Sequence, residues 1–225
     1  MLLDGLSPSF SQKNNEDQVR SFIRQLLLAL KCLHDKKIAH LDLRPEVLLL
    51  RDDRLLLADF GQSRRLHKGK IIANITGSPE FVSPEIAAGI PVTLASDMWS
   101  IGALTYVLLS GISPFLGDND QETVRNVLLG NYSLGRKELA DVSDLAKTFI
   151  SQLLTVNIRN RMTVDDALLH PWISAPCSSV TSVTPSLTPD AVKEFKYRHK
   201  WLVRFLSGNC YLDEQQKLVD RRGGR

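Results

Sequence analysis

The sequence predicts a mainly α-helical domain that carries one small β-hairpin. Residues 16–37 form a long amphipathic segment whose apolar residues recur at spacings of three and four, the period of a helix with one buried face. Residues 95–109 are apolar on almost every helical face, which is typical of a helix at the centre of a helical domain. Two short apolar runs, 47–50 and 55–58, flank a charged turn and predict the hairpin.

The remaining elements follow in a simple order. The first helix should end near Lys36 and Lys37, because cations suit a helix C-terminus. Pro84 opens a short helix at the position where its missing N–H costs least. Thr163 and Asp166 have the spacing of a capping box at a helix start. Beyond the central helix, three further helices are predicted, at 120–129, 142–155 and 163–170.

The composition is that of an ordinary globular protein. Of the 225 residues, 43% are hydrophobic and 24% are charged. The three cysteines are scattered without a C-x-x-C pair, which argues against a disulfide framework or a zinc site and favours a reducing compartment. The first residues lack the pattern of a secretory signal, and no apolar run is long enough to cross a bilayer. We therefore expect a cytoplasmic protein.

The net charge of +3 is confined to one segment. Residues 190–206 hold five of the 28 basic residues and two of the 25 acidic ones, so the rest of the chain is neutral, with 23 of each. A nucleic-acid-binding protein usually has a basic surface on its body. We therefore expect no nucleic-acid partner.

Composition also divides the chain into five stretches. A loose polar start (1–15) is followed by a helical domain (16–173) and by a linker rich in Ser, Thr and Pro (174–189). A basic amphipathic helix (190–206) and a polar tail (207–225) complete the sequence. Three roles remain open for the basic helix: packing of its apolar stripe on the domain, autoinhibition, or capture by calmodulin. Binding to a membrane surface is less consistent with the sequence, because Trp201 lies towards the charged side.

Three polar motifs occur in order through the domain. Residues 40–44, His-Leu-Asp-Leu-Arg, lead into the first strand of the hairpin. Asp-Phe-Gly at 59–61 follows the second strand, and Ser-Pro-Glu at 83–85 follows a long irregular loop. The hairpin should bring residues 59–61 close to Asp42. Each motif alone is weak evidence, but the three in this order are highly specific.

The ordered set resembles the large C-terminal lobe of a eukaryotic serine/threonine protein kinase over about residues 16–173. The combination of His-Leu-Asp with a basic helix after the lobe is similar to the myosin light-chain kinase and titin subgroup. The runs at 55–66 and 77–86 are most similar to a kinase domain of obscurin-type giant muscle proteins. The resemblance implies a protein-kinase fold, ATP and Mg²⁺ as cofactors, a protein or peptide substrate, and a sarcomeric or cytoskeletal location.

The resemblance also assigns roles to individual residues. Asp42 would orient the substrate hydroxyl, and Arg44 would neutralise γ-phosphate charge in the transition state. Asp59 would bind Mg²⁺ through a hard carboxylate oxygen. Glu46 and Leu49 would contribute to ATP binding. The substrate peptide would lie along a loop that includes Ser78, Pro79, Glu80 and Phe81.

Four further residues are expected to have structural roles. Asp97 lies in an apolar helix, and a buried carboxylate needs hydrogen-bond donors, so we expect it to accept backbone N–H groups of the loop at 40–44. His40 is expected to be a buried hydrogen-bonding residue. Glu85 is expected to pair with Arg161.

The sequence departs from the kinase pattern in three places. Val47 stands where the catalytic loop has Asn, so a second Mg²⁺ ligand is absent, and the expected cost is on the order of 10³-fold in rate. Leu41 replaces the Arg that pairs with a phosphate on the activation segment, which implies no dependence on loop phosphorylation. No G-x-G-x-x-G loop and no strand with its Lys precede His40, so we expect the small N-terminal lobe to be missing from this chain.

Two functions remain open at this point. The chain is either a kinase domain that transfers phosphate from ATP to protein hydroxyls, or a pseudokinase-type scaffold that binds peptides without catalysis. Val47 and the absent Gly-rich loop favour the scaffold for this polypeptide, whereas Asp42, Arg44, Asp59 and Gly61 favour the kinase for its ancestry. In either case, the surface that a small lobe would cover is expected to be an exposed apolar patch.

Overall fold

The computed structural model describes residues 12–51, 54–66, 70–75 and 78–175. Helices predominate over strands in these ranges, and the α-helices are α1 (Gln12–His34), α2 (Pro84–Ala87), α3 (Ala95–Ser110), α4 (Asp120–Leu129), α5 (Asp144–Leu153), α6 (Val164–Leu169) and α7 (Pro171–Ser174). The predicted basic helix at 190–206, the tail at 207–225 and the linker beyond Ala175 lie outside the described residues, as do the first eleven residues.

Two small antiparallel sheets complete the described part of the chain. Strands β2 (Leu48–Arg51) and β3 (Arg54–Leu57) form the predicted hairpin, in which Leu49 pairs with Leu56. Strands β1 (Ile38–Ala39) and β4 (Arg64–Arg65) form the second sheet. This second sheet was not predicted, because two-residue strands are too short to show a period.

Helix α3 lies at the centre of the molecule, as its apolar sequence predicts. Every residue from 96 to 109 is buried, and α1 and α5 both pack against the helix. Gly102 allows α5 to come close, since a Cβ at this position would lie 2.9 Å from the Cβ of Leu153. Gly111 ends α3 with a φ of 75°, a left-handed conformation that a residue without a Cβ adopts without strain.

Helix α1 has one buried face, as its periodicity predicts. The face is formed by apolar residues that are at most 4% exposed, namely Val19, Phe22, Ile23, Leu26, Leu27 and Leu30. The helix begins at Gln12, four residues before the predicted start at Glu16. The prediction missed the first turn because residues 12–15 are all polar and periodicity reports only a buried face. The helix ends at His34, before the predicted end at Lys36 and Lys37.

Side-chain caps fix the starts of three later helices. Asn119 accepts a hydrogen bond from the N–H of Glu122 at 2.9 Å at the start of α4, and Ser143 caps α5 in the same way. The capping box predicted for Thr163 and Asp166 is confirmed at the start of α6. Helices α4, α5 and α6 lie within the predicted ranges.

A buried carboxylate ties the first helix to the last part of the domain. Glu16 accepts hydrogen bonds from Nε1 of Trp172 at 2.8 Å and from the N–H and Oγ of Ser143 at 2.9 and 2.6 Å. Because Ser143 also caps α5, one side chain fixes the relative positions of α1, α5 and α7. Neither the four-residue helix α7 nor this carboxylate was predicted.

The hairpin starts one residue later than predicted. Val47 belongs to a 3₁₀ turn, Pro45–Val47, and the strand begins at Leu48. Pro45 favours the turn because its ring fixes φ near the helical value. The N–H of Ala58 donates to the carbonyl of Val47 at 2.9 Å, so the two chains remain paired just beyond the strands.

The outer face of the hairpin is apolar and exposed. Leu49 and Leu56 are 41% and 48% exposed, and Phe60, just beyond β3, is 50% exposed. In the part of the chain that the structure describes, no helix combines the length and the apolar character needed to span a membrane.

The close approach at Gly102 gives a stability prediction. Replacing Gly102 with Ala should lower the free energy of unfolding by about 1–3 kcal/mol, because the new methyl group overlaps Leu153 and Leu154. The measurement is urea denaturation followed by circular dichroism. The matched control is Gly135→Ala, whose Cβ would have no neighbour nearer than 3.7 Å, and which should be neutral or stabilising. Equal midpoints for both variants would contradict the packing described for α3 and α5.

Candidate active site

The loop at 40–44 is held in place by a carboxylate from the central helix. Asp97 Oδ2 accepts a hydrogen bond from the backbone N–H of His40 at 2.8 Å, and Oδ1 accepts one from the N–H of Leu41 at 2.8 Å. Nε2 of His34 lies 2.9 Å from Oδ2. Asp97 is buried, and these groups supply the donors that a buried carboxylate needs. The expected hydrogen bonds from the loop to Asp97 are therefore present.

This anchor holds Leu41 in an unusual conformation. Leu41 has a φ of 65°, in the left-handed region that a residue with a Cβ rarely adopts. The conformation costs on the order of 1–2 kcal/mol. A hydrogen bond to a charged acceptor contributes about 1.5–3 kcal/mol, so the bonds to Asp97 outweigh the strain. Leu43, the residue after Asp42, is buried and fixes the backbone on that side of Asp42 to the core.

His40 connects the loop to the Asp-Phe-Gly motif. The side chain is fully buried, and Nε2 lies 3.1 Å from the carbonyl oxygen of Ala58. The ring of Phe60 lies 5.3 Å from the His40 ring, centroid to centroid. Ser63 Oγ donates to the His40 carbonyl at 3.3 Å. The structure thus brings together the two motifs that the hairpin was expected to bring together.

Asp42 and Arg44 lie side by side. Arg44 Nε is 3.2 Å from Asp42 Oδ1, an ion-pair contact without hydrogen-bond geometry. The side chain of Arg44 is 31% exposed, and that of Asp42 is 10% exposed. Burial raises the pKa of Asp42 above its ordinary value, and the negative charge of Asp59 acts in the same direction. The positive charge of Arg44 opposes both effects. Asp42 is thus a poorly solvated carboxylate with one adjacent cation.

Asp59 presents an exposed carboxylate at the end of the hairpin. Its φ is 58°, a left-handed conformation that Asp tolerates better than most residues, and Oδ1 accepts a hydrogen bond from the N–H of Gly61 at 3.3 Å. The carboxylate remains accessible to a cation. Among the residues that the structure describes, no three His, Cys, Asp or Glu side chains cluster as a metal site. Asp59 therefore fits a Mg²⁺ ion that takes its other ligands from substrate phosphates and water.

Val47 supplies nothing to such an ion. Its side chain is 2% exposed and belongs to the hydrophobic core that also includes Leu43 and Leu48. The residue stands where a second metal ligand was expected in the family pattern, but it packs into the core. Two residues assigned to ATP binding are, in contrast, exposed: Glu46, and Leu49 at 41%.

Two of the four residues assigned to peptide binding, Ser78 and Phe81, lie near Asp42. Pro79, Glu80 and Phe81 form a buried 3₁₀ turn, and Ser78 Oγ donates to Glu80 at 3.0 Å. Ser78 and Phe81 line a cavity of about 20 Å³ whose wall includes Asp42 and Arg44, along with Leu41, Leu43, Asn74, Val82, Ile86 and Ser100. Asp42 and Arg44 therefore share this cavity with Ser78 and Phe81, whereas Pro79 and Glu80 do not line it.

Glu85 and Arg161 form a buried pair. Arg161 Nη1 and Nη2 donate to Glu85 Oε1 and Oε2 at 2.7 and 3.1 Å, and Arg161 also bonds the carbonyls of Ala95 and Thr155. Burial alone would raise the pKa of Glu85, but the hydrogen bonds and charge of Arg161 outweigh it and hold the pKa below its ordinary value. The guanidinium lies 5.1 Å above the ring of Trp99.

Sequence reasoning missed two residues of this region. His34 contributes to the Asp97 anchor, but it lies 63 positions away from Asp97 in the sequence. Asn74 lines the cavity beside Asp42, but it comes from an irregular loop without a recognisable motif. The sequence contained no local signal for either.

Comparison with known proteins shows the family to which the chain is related. The model of the protein kinase domain matches residues 4–173. The muscle M-line assembly protein unc-89 of Caenorhabditis elegans is 56% identical over 191 residues, which are 85% of this chain and 2% of that protein. Death-associated protein kinase 2 of Mus musculus is 41% identical over 199 residues, which are 85% of this chain and 54% of the kinase. The chain thus spans about half of the length of the kinase and only a small part of the length of unc-89.

A solved structure agrees with these matches. The twitchin kinase region of C. elegans superimposes with a TM-score of 0.71 at 33% identity, covering 86% of this chain and 34% of that one. The similar proteins are muscle giants and death-associated kinases, which is the subgroup that the sequence resembles. The expected recognition is therefore confirmed, and so is the protein-kinase fold with prominent helices.

The poor solvation of Asp42 gives a prediction about pH and stability. Because its folded-state pKa is raised, the folded chain holds the proton more tightly than the unfolded chain, and stability falls as the pH rises from the ordinary Asp value towards neutrality. At pH 7, Asp42→Asn should therefore have a higher free energy of unfolding than the wild type. The gain should shrink as the pH falls towards about 4, near the unperturbed pKa of Asp.

The measurement is urea denaturation across this pH range. The control is Asp35→Asn, which removes an exposed carboxylate in an ion pair with Lys31 and should give no such gain. A destabilised Asp42→Asn variant at pH 7 would show that the carboxylate is better solvated than its burial indicates.

Proposed function

The chain belongs to the protein kinase family, and on that premise we propose that it provides the large-lobe machinery of a serine/threonine kinase, which positions a protein hydroxyl for phosphoryl transfer from ATP. The observation that carries this proposal is the grouping of Asp42 with Arg44, Ser78 and Phe81 around one cavity. A peptide lying over Ser78, which is exposed and directly precedes the turn at 79–81, would place its hydroxyl next to the carboxylate.

Asp42 has the properties that this role requires. Phosphoryl transfer depends mainly on positioning and charge stabilisation, so the acid group must be fixed and must accept a hydrogen bond. The Asp97 anchor fixes the backbone two residues before Asp42, and the burial of Leu43 fixes the residue after it. The Arg44 guanidinium, 3.2 Å from Asp42, would compensate charge that develops on the transferred phosphoryl group.

The cofactors of this reaction would be ATP and Mg²⁺. Asp59 is the residue that would hold Mg²⁺, because its carboxylate is exposed and lies close enough to Asp42 for its charge to raise the pKa of Asp42. Exposed Leu49 and Glu46 would contact the nucleotide. When bound, the ion neutralises phosphate charge and orients the γ-phosphoryl group. The Gly-rich loop and strand Lys that cover ATP in the family would have to come from a small lobe outside these 225 residues.

Val47 limits the chemistry that this loop supports. Because its buried side chain has no oxygen, we propose that the chain holds one metal ion through Asp59 alone. Loss of one electrostatic contact at a reacting centre costs on the order of 10²–10³-fold in rate. We therefore propose that the chain is part of a slow kinase, and that its activity depends on the small lobe with which the chain is paired.

A second candidate function is a pseudokinase-type scaffold that binds a peptide without phosphorylating it. One observation favours it: Val47 is an integral part of the hydrophobic core, so the site is built around a residue that cannot bind metal. The surface around Ser78, which is exposed, would then serve for peptide binding alone.

Three further parts of the proposal rest on the relatives and on sequence outside the described residues. We propose a sarcomeric or cytoskeletal location, since one relative is named for assembly of the muscle M-line. The segment at 190–206 remains a candidate for packing on the lobe, for autoinhibition or for calmodulin binding. Nucleic acid and membrane are not among the proposed partners.

Phosphate transfer distinguishes the two candidates. In this chain joined to a kinase small lobe, Asp42→Asn should lower γ-phosphate transfer to a serine/threonine peptide library by about 10²-fold or more. Val47→Asn should raise transfer while lowering the free energy of unfolding by about 1–3 kcal/mol, because it buries an amide in the core. Transfer is measured with ATP labelled at the γ-phosphate, and stability by urea denaturation.

Val47→Ala is the matched control, because it removes the same packing without adding an oxygen. It should lower stability and leave transfer no higher than in the wild type. Transfer that Asp42→Asn leaves unchanged would overturn the assigned role of Asp42. Absence of transfer in the wild type and in Val47→Asn, with the library peptides still bound, would favour the scaffold.

A further inference from the structure

A cavity of about 430 Å³ lies between the first helix and the end of the domain. One wall is the face of α1 that carries Asp17, Arg20, Ser21 and Arg24, and the opposite wall is formed by the ends of α6 and α7. Its volume falls in the range of about 300–1,000 Å³ that is typical of binding pockets. It shares no lining residue with the cavity beside Asp42. Here it is called the α1–α7 cavity.

The polar wall of the α1–α7 cavity contains a donor without an acceptor. Arg20 Nη2 and Asp17 Oδ1 form an ion pair at 2.6 Å, so these two charges compensate each other. The Nε of Arg20 is buried and has no hydrogen-bond acceptor in the part of the chain that the structure describes. A buried donor without an acceptor costs about 1–3 kcal/mol. An occupant with a neutral acceptor is therefore favoured, whereas an anionic occupant would be repelled by the Asp17 carboxylate.

The chain leaves the described domain at the wall of this cavity. Ser174 and Ala175 both line the cavity. Ala175 follows α7 with a φ of −56° and a ψ of 137°, which is an extended conformation, and Pro176 comes next in the sequence. A residue before proline favours this conformation, so α7 ends where the cavity begins. Residues 176–189, which continue the chain from this point, include no charged residue.

We propose that the segment 176–183, which directly follows Ala175, folds back into the α1–α7 cavity. In the docked state, Cys177 lies against the apolar part of the wall, which is formed by Leu168 and Ile173, because an unpaired Cys packs as a small apolar residue. Backbone carbonyls of the segment accept the hydrogen bond that Arg20 Nε lacks. The segment is neutral, so docking brings no new charge into the cavity.

Covalent attachment favours this segment over a separate partner. Cys177 is two residues beyond Ala175, so the two Cα atoms are within about 7 Å of each other. A short link of this kind gives an effective concentration of about 1 mM. A contact with a dissociation constant of about 0.1 mM would then be occupied about 90% of the time. A separate ligand of equal affinity would have to reach the same concentration in solution.

The segment lies outside the part of the chain that matches the family. The protein kinase domain model ends at residue 173, and the segment begins at 176. Docking requires neither ATP nor phosphoryl transfer, so the inference stands apart from the proposed function. Its consequence is a fixed starting point for the chain that follows. Residue 190, the first of the basic segment at 190–206, would lie within about 25 Å of residue 183 and so near the cavity.

The first test is alkylation of Cys177 by N-ethylmaleimide in the full 225-residue chain, with each cysteine compared with its own rate in urea. Cys177 should react about tenfold more slowly in the folded chain, whereas Cys32, exposed on α1, should react at similar rates in both states. Ser21→Trp, which fills the cavity, should remove the protection of Cys177. The matched control is Leu28→Trp, an exposed position two turns further along the same face of α1, which should leave the protection unchanged.

Disulfide trapping is a second measurement, and it remains informative if Ser21→Trp fails to fold. The background carries Cys32→Ser and Cys210→Ser. There, Ser21→Cys should form a disulfide with Cys177 under mild oxidation, because the bond needs Cα atoms about 4.4–6.8 Å apart. The control Leu28→Cys lies about 10 Å further along the helix and should form about tenfold less of the disulfide. Peptide mapping by mass spectrometry quantifies both products.

Four results would overturn the proposal. Alkylation of Cys177 as fast in the folded wild type as in urea would show that the segment is not docked. Protection that a folded Ser21→Trp variant retains would place Cys177 outside the cavity. Equal trapping by Ser21→Cys and Leu28→Cys would show that the segment moves freely along α1. Protection that increases with protein concentration would place the segment of a second copy of the chain in the cavity.

Discussion

The buried carboxylate of Asp97 is the interaction on which the candidate site depends. It lies on α3, inside the core, and accepts hydrogen bonds from the N–H groups of His40 and Leu41 at 2.8 Å each. These bonds hold Leu41 in a left-handed conformation that by itself costs on the order of 1–2 kcal/mol. A charged acceptor makes each bond strong enough to exceed that cost. The loop therefore takes its shape from the centre of the molecule, and this shape positions Asp42.

The same principle explains the rest of the site. Arg161, buried and bonded to Glu85, fixes the segment that follows the turn at 79–81 to the helical core. His40 fixes the end of the hairpin, and so the start of the Asp-Phe-Gly motif. Rigid supports of this kind suit phosphoryl transfer, which depends on placement more than on covalent chemistry. Val47 is the exception, because the core holds it equally firmly in a position where it contributes no metal ligand.

Sequence reasoning predicted the elements that have a period or a motif. The buried stripe of α1, the all-round burial of α3 and the capping box at Thr163 each leave a local signature, and each is present. The sheet formed by β1 and β4 and the contact of His34 with Asp97 arise only when distant segments pack together. The burial of Val47 shows the same limit: its place in the motif indicated a missing ligand, whereas its packing partners were visible only in the fold.

Amide hydrogen exchange tests the Asp97 anchor most directly. In the wild type, the N–H groups of His40 and Leu41 should exchange slowly although they belong to a loop, because both donate to a buried carboxylate. In Asp97→Asn, their protection should fall by about 10²-fold relative to amides at the centre of α3, such as that of Leu104. Unchanged protection of His40 and Leu41, or an equal loss at Leu104, would contradict the account, because the loop would then owe its shape to something other than Asp97.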